Sequence, residues 1–161
     1  HEHTACSGYL DNQSVFINYY PHVRHSVPLW KIRELKNQPP EKWNYREYFM
    51  TQNYLFPCNF VQVMTDHVYV HTIIPTGPGK CIFKCMMLIS EPAKDEKAKK
   101  YWEKNYNVVK EVFDEDFEIG EAIQFGLETN ANENFIFGKY ECGLHWGQKA
   151  IDDALAGKLR A

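Results

Sequence analysis

The sequence predicts an α+β domain in which an antiparallel sheet comes first along the chain and long helices come last. Two observations indicate this class. Short apolar runs separated by turn residues fill residues 49–90, and connections this short require antiparallel neighbours. A highly charged segment begins after Pro92 and leads into a long amphipathic stretch. We expect the sheet to wrap around this long C-terminal helix and to leave a cavity between the two.

The composition is that of one domain rich in aromatic residues. The 161 residues are enough for a sizeable core, and ten Tyr, ten Phe and four Trp can also line an apolar ligand cavity. A net charge of -3 provides no basic surface for nucleic acid, and no apolar run approaches the roughly 18 residues that span a bilayer. Five cysteines without a Cys-x-x-Cys pair favour reduced thiols in a cytoplasmic protein.

The first part of the chain carries both strand and helix signals. Residues 14–20, SVFINYY, are β-branched and aromatic, which predicts a strand. Ser26 is a candidate N-cap for a short helix over residues 26–36, with Pro28 in its first turn. Residues 43–49 fit either a turn of helix or the start of a strand.

A meander of four further strands is predicted after this region. Its strands are residues 49–56, 60–64, 67–74 and 81–90. Several of them are apolar on both faces, which predicts that one face meets a helix and the other a partner or a cavity. Self-association is expected from the same pattern.

Histidines and cysteines in these strands are more typical of packing than of a metal site. His67 and His71 lie four residues apart, and so do Cys81 and Cys85, so each pair is expected on one face of its strand. His25 is expected beside a loop.

Residues 108–127 contain the most informative pattern in the chain. On a helix, one arc about 100° wide collects five apolar residues and a single carboxylate. These residues are Val108, Val112, Asp116, Ile119, Ile123 and Leu127. The neighbouring acidic residues point elsewhere, so Asp116 is predicted to face the core. A buried carboxylate requires a cation, a metal or several hydrogen-bond donors.

Two simpler explanations of this pattern stay open at this point. Asp116 can form a buried salt bridge, or the helix can break near Asp114 and place Asp116 at an N-cap. Beyond this stretch, residues 130–134 are predicted to end the helix, and a last helix is predicted over residues 144–159.

Several short motifs occur together in the second half of the chain. In order they are Glu115-Asp116, Glu121, Gln124, Gly126-Leu127, Phe137-Gly138 and Glu141. They are preceded by Trp102 and Asn105 and, far upstream, by Leu55-Phe56-Pro57-Cys58-Asn59. This arrangement resembles the C-terminal catalytic domain of Rieske non-haem iron ring-hydroxylating oxygenase alpha subunits, and the resemblance covers nearly the whole chain.

The resemblance implies a helix-grip, START-like fold and a mononuclear Fe(II) held by two histidines and one carboxylate. By motif position that carboxylate is Asp116, in agreement with the helical arc. The implied substrate-pocket residues on the same helix are Ile119, Ile123, Gln124 and Leu127. The implied activity is iron-dependent insertion of oxygen into an aromatic or similar apolar substrate.

The beginning of the chain departs from the family pattern. The stretch His1-Glu2-His3-Thr4 looks like the family's second iron-binding histidine and the residues after it, which makes His1 the second metal position. The first histidine would precede the given sequence, and no segment of the chain resembles the ligands of a Rieske [2Fe-2S] cluster. We expect a truncated domain that holds iron poorly and is inactive in isolation.

The resemblance also implies partners. A ferredoxin or reductase would supply electrons to the full-length enzyme, and self-association would give a dimer or a trimer. Two other hypotheses compete with the oxygenase: a non-enzymatic helix-grip module that binds a hydrophobic small molecule, and a simple assembly domain. A carboxylate facing the core favours the oxygenase, because a carrier of apolar ligands has little use for one.

Overall fold

A computed structural model of the chain describes residues 14–130 and 134–159. The chain divides into two compact units, of which one runs from Ser90 to Ile136 and the other joins the preceding strands to the residues from Phe137 onward. The first unit is helical, and the second combines a sheet with a C-terminal helix. Among the described residues, no helix combines the length and the apolar character that crossing a membrane requires.

The sheet is an antiparallel meander whose strands are ordered as they occur along the chain. The strands are β1 (Val15–Tyr19), β2 (His22–Pro28), β3 (Phe49–Leu55), β4 (Asn59–Val63), β5 (His67–Gly77) and β6 (Lys80–Ile89). The predicted meander is confirmed, and the α+β class with it. The ambiguous residues 43–49 contain both candidates, a single helical turn, α1 (Tyr45–Tyr48), and then the start of β3.

The register of the ladder gives the sheet two different faces. Phe60 lies opposite Tyr54 on β3 and opposite His71 on β5. Directly opposed residues share a face, so these side chains belong to one surface. We call this surface the aromatic face, and its members are Phe16, His25, Tyr54, Phe60, Tyr69, His71 and Phe83. Ile82 and Leu88 lie on the opposite face, where both are exposed.

The prediction of a helix over residues 26–36 is wrong for the first of these residues. β2 extends to Pro28, and a 3-10 helix begins shortly afterwards and spans Trp30–Asn37. Ser26 lies opposite Val15 on one side and Thr51 on the other, and it is fully buried. Pairing with two neighbouring strands outweighs the weak capping preference of one serine.

The long helix of the other unit, α2 (Glu96–Glu128), is confirmed. Its N-cap is Asp95, whose side chain accepts a hydrogen bond from the backbone N–H of Ala98 at 2.7 Å. The helix continues without interruption past Asp114, so the alternative of a break there is wrong. It ends near the predicted position, although residues 131–133 of the predicted break lie outside the described residues.

The C-terminal helix, α3 (Cys142–Leu155), packs against β1 and β2. At its first turn, Gly143 approaches Phe16 so closely that a Cβ atom would lie 2.9 Å from the ring. At its other end, the Asp153 carboxylate accepts hydrogen bonds from the Tyr20 hydroxyl and from two lysines, Lys149 and Lys158. The helix is therefore attached to the sheet at both ends. The helix starts slightly earlier than predicted. It also ends earlier, because Gly157 (φ 70°) takes the left-handed conformation that closes a helix.

We predict that Gly143→Ala destabilises the protein and that Gly147→Ala does not. The Phe16 ring stacks on His25 with centroids 4.3 Å apart, so a methyl group at residue 143 overlaps a ring that is held in place. Overpacking of this kind costs about 1–3 kcal/mol. Gly147 on the same helix has open space around its Cβ position. Alanine there should raise the free energy of unfolding by up to about 1 kcal/mol, because alanine has the higher helix propensity. Urea denaturation measures both variants, and equal stabilities would contradict the close contact.

We also predict that Asp153 makes the fold sensitive to acid. Hydrogen bonds from Lys149, then from Tyr20 and Lys158, hold the pKa of this carboxyl group well below its ordinary range. A lowered folded-state pKa contributes stability that is present above the unfolded value of about 3.9 and is lost as the pH falls below it. The Tm should therefore drop more steeply between about pH 5 and about pH 2 in the wild type than in Asp153→Asn.

The matched control is Asp152→Asn, because Asp152 is exposed on the same turn of α3. This variant should keep the steep acid dependence of the wild type. An Asp153→Asn protein with an unchanged dependence of Tm on pH would show that the cluster does not stabilise the fold.

Candidate functional site

The aromatic face contains a row of rings in contact across β3 to β6. The Phe60 ring stacks on Tyr54 with centroids 5.5 Å apart and on His71 with centroids 4.1 Å apart. Phe83 on β6 continues the row at 5.4 Å from His71. The rings come together because these residues are directly opposed or diagonal neighbours in the ladder. Such a surface can pack against a flat apolar molecule.

The histidine in this row is neutral. His71 is completely buried, and burial lowers its pKa to about 4 because the imidazolium ion is poorly solvated there. At physiological pH it therefore acts as another aromatic ring. The thiol of Cys85, directly opposite on β6, is also kept neutral, since burial raises its pKa.

A second buried histidine begins β5 in a more polar setting. His67 Nδ1 lies 2.6 Å from the Asp66 carboxylate, and the His67 ring meets Tyr69 edge-on with centroids 4.7 Å apart. His67 and His71 lie on one face of the strand, as predicted. Within the described residues, no three side chains of His, Cys, Asp or Glu form a group that could hold a metal ion.

A polar group lies at the β2 end of the aromatic face. Gln52 Oε1 lies 3.0 Å from His25 Nδ1 and accepts a hydrogen bond from the Tyr54 hydroxyl at 3.2 Å. The His25 ring is covered on one side by Phe16. Burial lowers the pKa of His25, against an opposite effect of the hydrogen bond to Gln52, so this ring is neutral as well.

The predicted metal position on α2 is not buried. Asp116 is exposed, and no residue of α2 is buried. Helical periodicity tells which residues share a face of α2, and the role of Asp116 as a metal ligand stays a prediction. The salt-bridge alternative is not realised either, because Asp116 has no ion pair or hydrogen bond within the described residues, whereas Asp114 pairs with Lys110.

The predicted pocket residues on α2 are accessible. Ile119 is 37% exposed and Ile123 52% exposed, while Gln124 and Leu127 are half-buried. Gln124 donates a weak hydrogen bond to Glu128 at 3.4 Å. His1, the other predicted metal position, lies outside the described residues.

Sequence reasoning missed the role of His25 and the aromatic row as a unit. The alternation of Val23, His25 and Val27 with polar residues was a usable strand signal, but the helix-capping motif at Ser26 competed with it. The row could not be found from sequence, because its members come from separate strands and meet only through the register.

Comparison with known proteins identifies the family. The model of a family described as "Ring hydroxylating alpha subunit (catalytic domain)" matches residues 11–157. Neither the curated proteins nor the solved structures include a significant match. The match covers most of the chain and agrees with the predicted α+β helix-grip fold. The chain therefore belongs to the family of ring-hydroxylating alpha subunit catalytic domains.

Proposed function

We propose that this chain is the catalytic domain of an oxidoreductase that inserts oxygen into an aromatic or similar apolar substrate. The observation that carries the proposal is the family match over residues 11–157. The family description names a domain of an alpha subunit, which supports the proposal that the chain acts as one domain within a longer, dioxygenase-type protein. Aromatic-compound catabolism is the corresponding biological role.

The aromatic face supports an aromatic substrate. Its rings contact one another from β3 to β6, and burial keeps both His71 and Cys85 neutral, so neither brings a charge that would have to be desolvated on binding. We propose Ile119, Ile123, Gln124 and Leu127 on α2 as further substrate-contacting residues, since their side chains are accessible.

The family is iron-dependent, but the described residues do not by themselves provide a three-ligand iron site. We propose Asp116 and His1 as two of the ligand positions, with the remaining histidine supplied by sequence upstream. Asp116 suits this role because it is a carboxylate with no competing partner among the described residues. Bound Fe(II) would supply the activation of dioxygen.

The family context supports proposals about partners and location. Electrons would come from a ferredoxin or reductase by way of a Rieske [2Fe-2S] domain outside the given sequence, in a cytoplasmic enzyme. Self-association as a dimer or trimer is supported by exposed apolar residues on the opposite face of the sheet, which include Ile74, Ile82, Met86 and Leu88.

We predict that Asp116→Ala abolishes oxygenase activity in the longer alpha subunit. Loss of a carboxylate ligand removes part of the metal site, and disturbing metal ligation costs at least about 10–100-fold in affinity or activity. Stability should not fall, because Asp116 makes no contact that the fold needs and alanine is the better helix former. Dioxygen consumption with naphthalene and the iron content of the purified protein are the measurements.

The control for this variant is Asp114→Ala, two residues away on the same helix. Asp114 pairs with Lys110 at the surface, so its loss should leave iron content and turnover unchanged. Full activity and full iron content in Asp116→Ala would show that Asp116 is not an iron ligand.

We further predict that an aromatic ligand binds on the aromatic face. Phe83→Ser should weaken naphthalene binding about tenfold or more, because it removes a half-buried ring from the row. Ile82→Ser is the matched control, since Ile82 is the adjacent residue and lies exposed on the opposite face. Fluorescence titration measures both affinities, and thermal denaturation verifies folding. Equal losses of naphthalene affinity in the two variants would show that the ligand does not bind on the aromatic face.

A further inference from the structure

The hydrogen bonds of Gln52 determine which nitrogen of His25 carries the proton. Gln52 Oε1 is a carbonyl oxygen and can only accept, and two groups approach it: the Tyr54 hydroxyl at 3.2 Å and His25 Nδ1 at 3.0 Å. His25 Nδ1 therefore donates. In a neutral imidazole the other nitrogen, Nε2, is then an acceptor with a free lone pair.

This acceptor has no partner within the described part of the chain. His25 Nε2 is shielded from solvent and receives no hydrogen bond from any described residue. The ring cannot easily turn to find one, because it stacks on Phe16 with an interplanar angle of 4° and is held at Nδ1 by Gln52. A buried acceptor without a donor is unfavourable, and a ligand that brings a donor would relieve this cost.

The acceptor belongs to the same surface as the stacked rings. His25 lies directly opposite Gln52, and Tyr54, two residues along β3 from Gln52, stacks on Phe60. His25 as a whole is only half-buried. A planar molecule on the aromatic face can therefore extend a substituent toward Nε2.

The chemistry at this position selects among ligands. A carboxylate or phosphate would be repelled by a lone pair, and burial keeps His25 from becoming a cation that could attract an anion, because it lowers the pKa of the ring. A metal ion lacks further ligands, since no three metal-binding side chains converge in the described residues. The ligand group that suits His25 Nε2 is therefore a neutral O–H or N–H donor.

We propose that His25 Nε2 accepts a hydrogen bond from the substrate, and that the preferred substrates are aromatic compounds carrying a hydroxyl or amino group rather than bare hydrocarbons. The proposal rests on the function proposed for the aromatic face. It makes His25 a specificity-determining residue.

Two matched ligands test the proposal on the chain as it stands. 2-Naphthol carries an O–H donor, and 2-methoxynaphthalene has the same rings with that donor blocked by a methyl group. The wild type should bind 2-naphthol about tenfold more tightly in calorimetry. His25→Phe keeps a ring to stack on Phe16 but lacks the acceptor, so the two ligands should then bind within about twofold of each other.

The control for this substitution is His145→Phe, an identical change at an exposed histidine of α3. It should retain the preference of the wild type for 2-naphthol. Loss of the preference in both variants would overturn the proposal, because the discrimination would then not depend on His25.

Nitrogen-15 NMR of the imidazole provides a readout that a purely structural role would not change. The free protein should show the proton on His25 Nδ1, and the Nε2 resonance should move with 2-naphthol and not with 2-methoxynaphthalene. A proton on Nε2 in the free protein, or equal affinities for both ligands in the wild type, would overturn this proposal alone. If neither ligand binds, the proposed function of the aromatic face fails with it.

Discussion

The continuous antiparallel ladder from β1 to β6 is the constraint on which the candidate site depends. Among the residues that the structure describes, each strand pairs with its neighbours in the chain, so one register determines the next across the sheet. Phe60 stands opposite His71 and Tyr54 because of this register. A slip by one residue in β4 would place Val61 there and send Phe60 to the opposite face. The aromatic face is therefore a property of strand pairing and not of any one segment.

This arrangement explains why three histidines of the sheet behave differently. His71 lies among rings and is neutral because burial lowers its pKa. His67 has the Asp66 carboxylate beside it at the start of β5. His25 is held by a carbonyl oxygen, which fixes its proton and leaves an acceptor. The same residue type thus supplies apolar area, a polar contact with a carboxylate and a hydrogen-bond acceptor, according to its neighbours in the sheet.

Membership of the ring-hydroxylating family gives these features a chemical context. A sheet surface of neutral rings suits recognition of an aromatic molecule, and an acidic residue without a partner among the described residues, Asp116, suits a metal ligand position on α2. α2 presents Asp116 because it continues unbroken past Asp114, so the position keeps its place on the helix surface. Our proposals place substrate recognition on the sheet and a metal ligand on α2, and separate substitutions test them.

The sequence by itself determined what depends on local pattern. Turn residues and short apolar runs were sufficient for β3 to β6, the amphipathic period for α2, and motif order for the family. Tertiary structure alone decided the rest. β2 replaced the first part of a predicted helix because Ser26 pairs with two strands, and the aromatic face formed because its members meet through the strand register. Strand register and burial arise from residues distant in the chain, and no local window contains them.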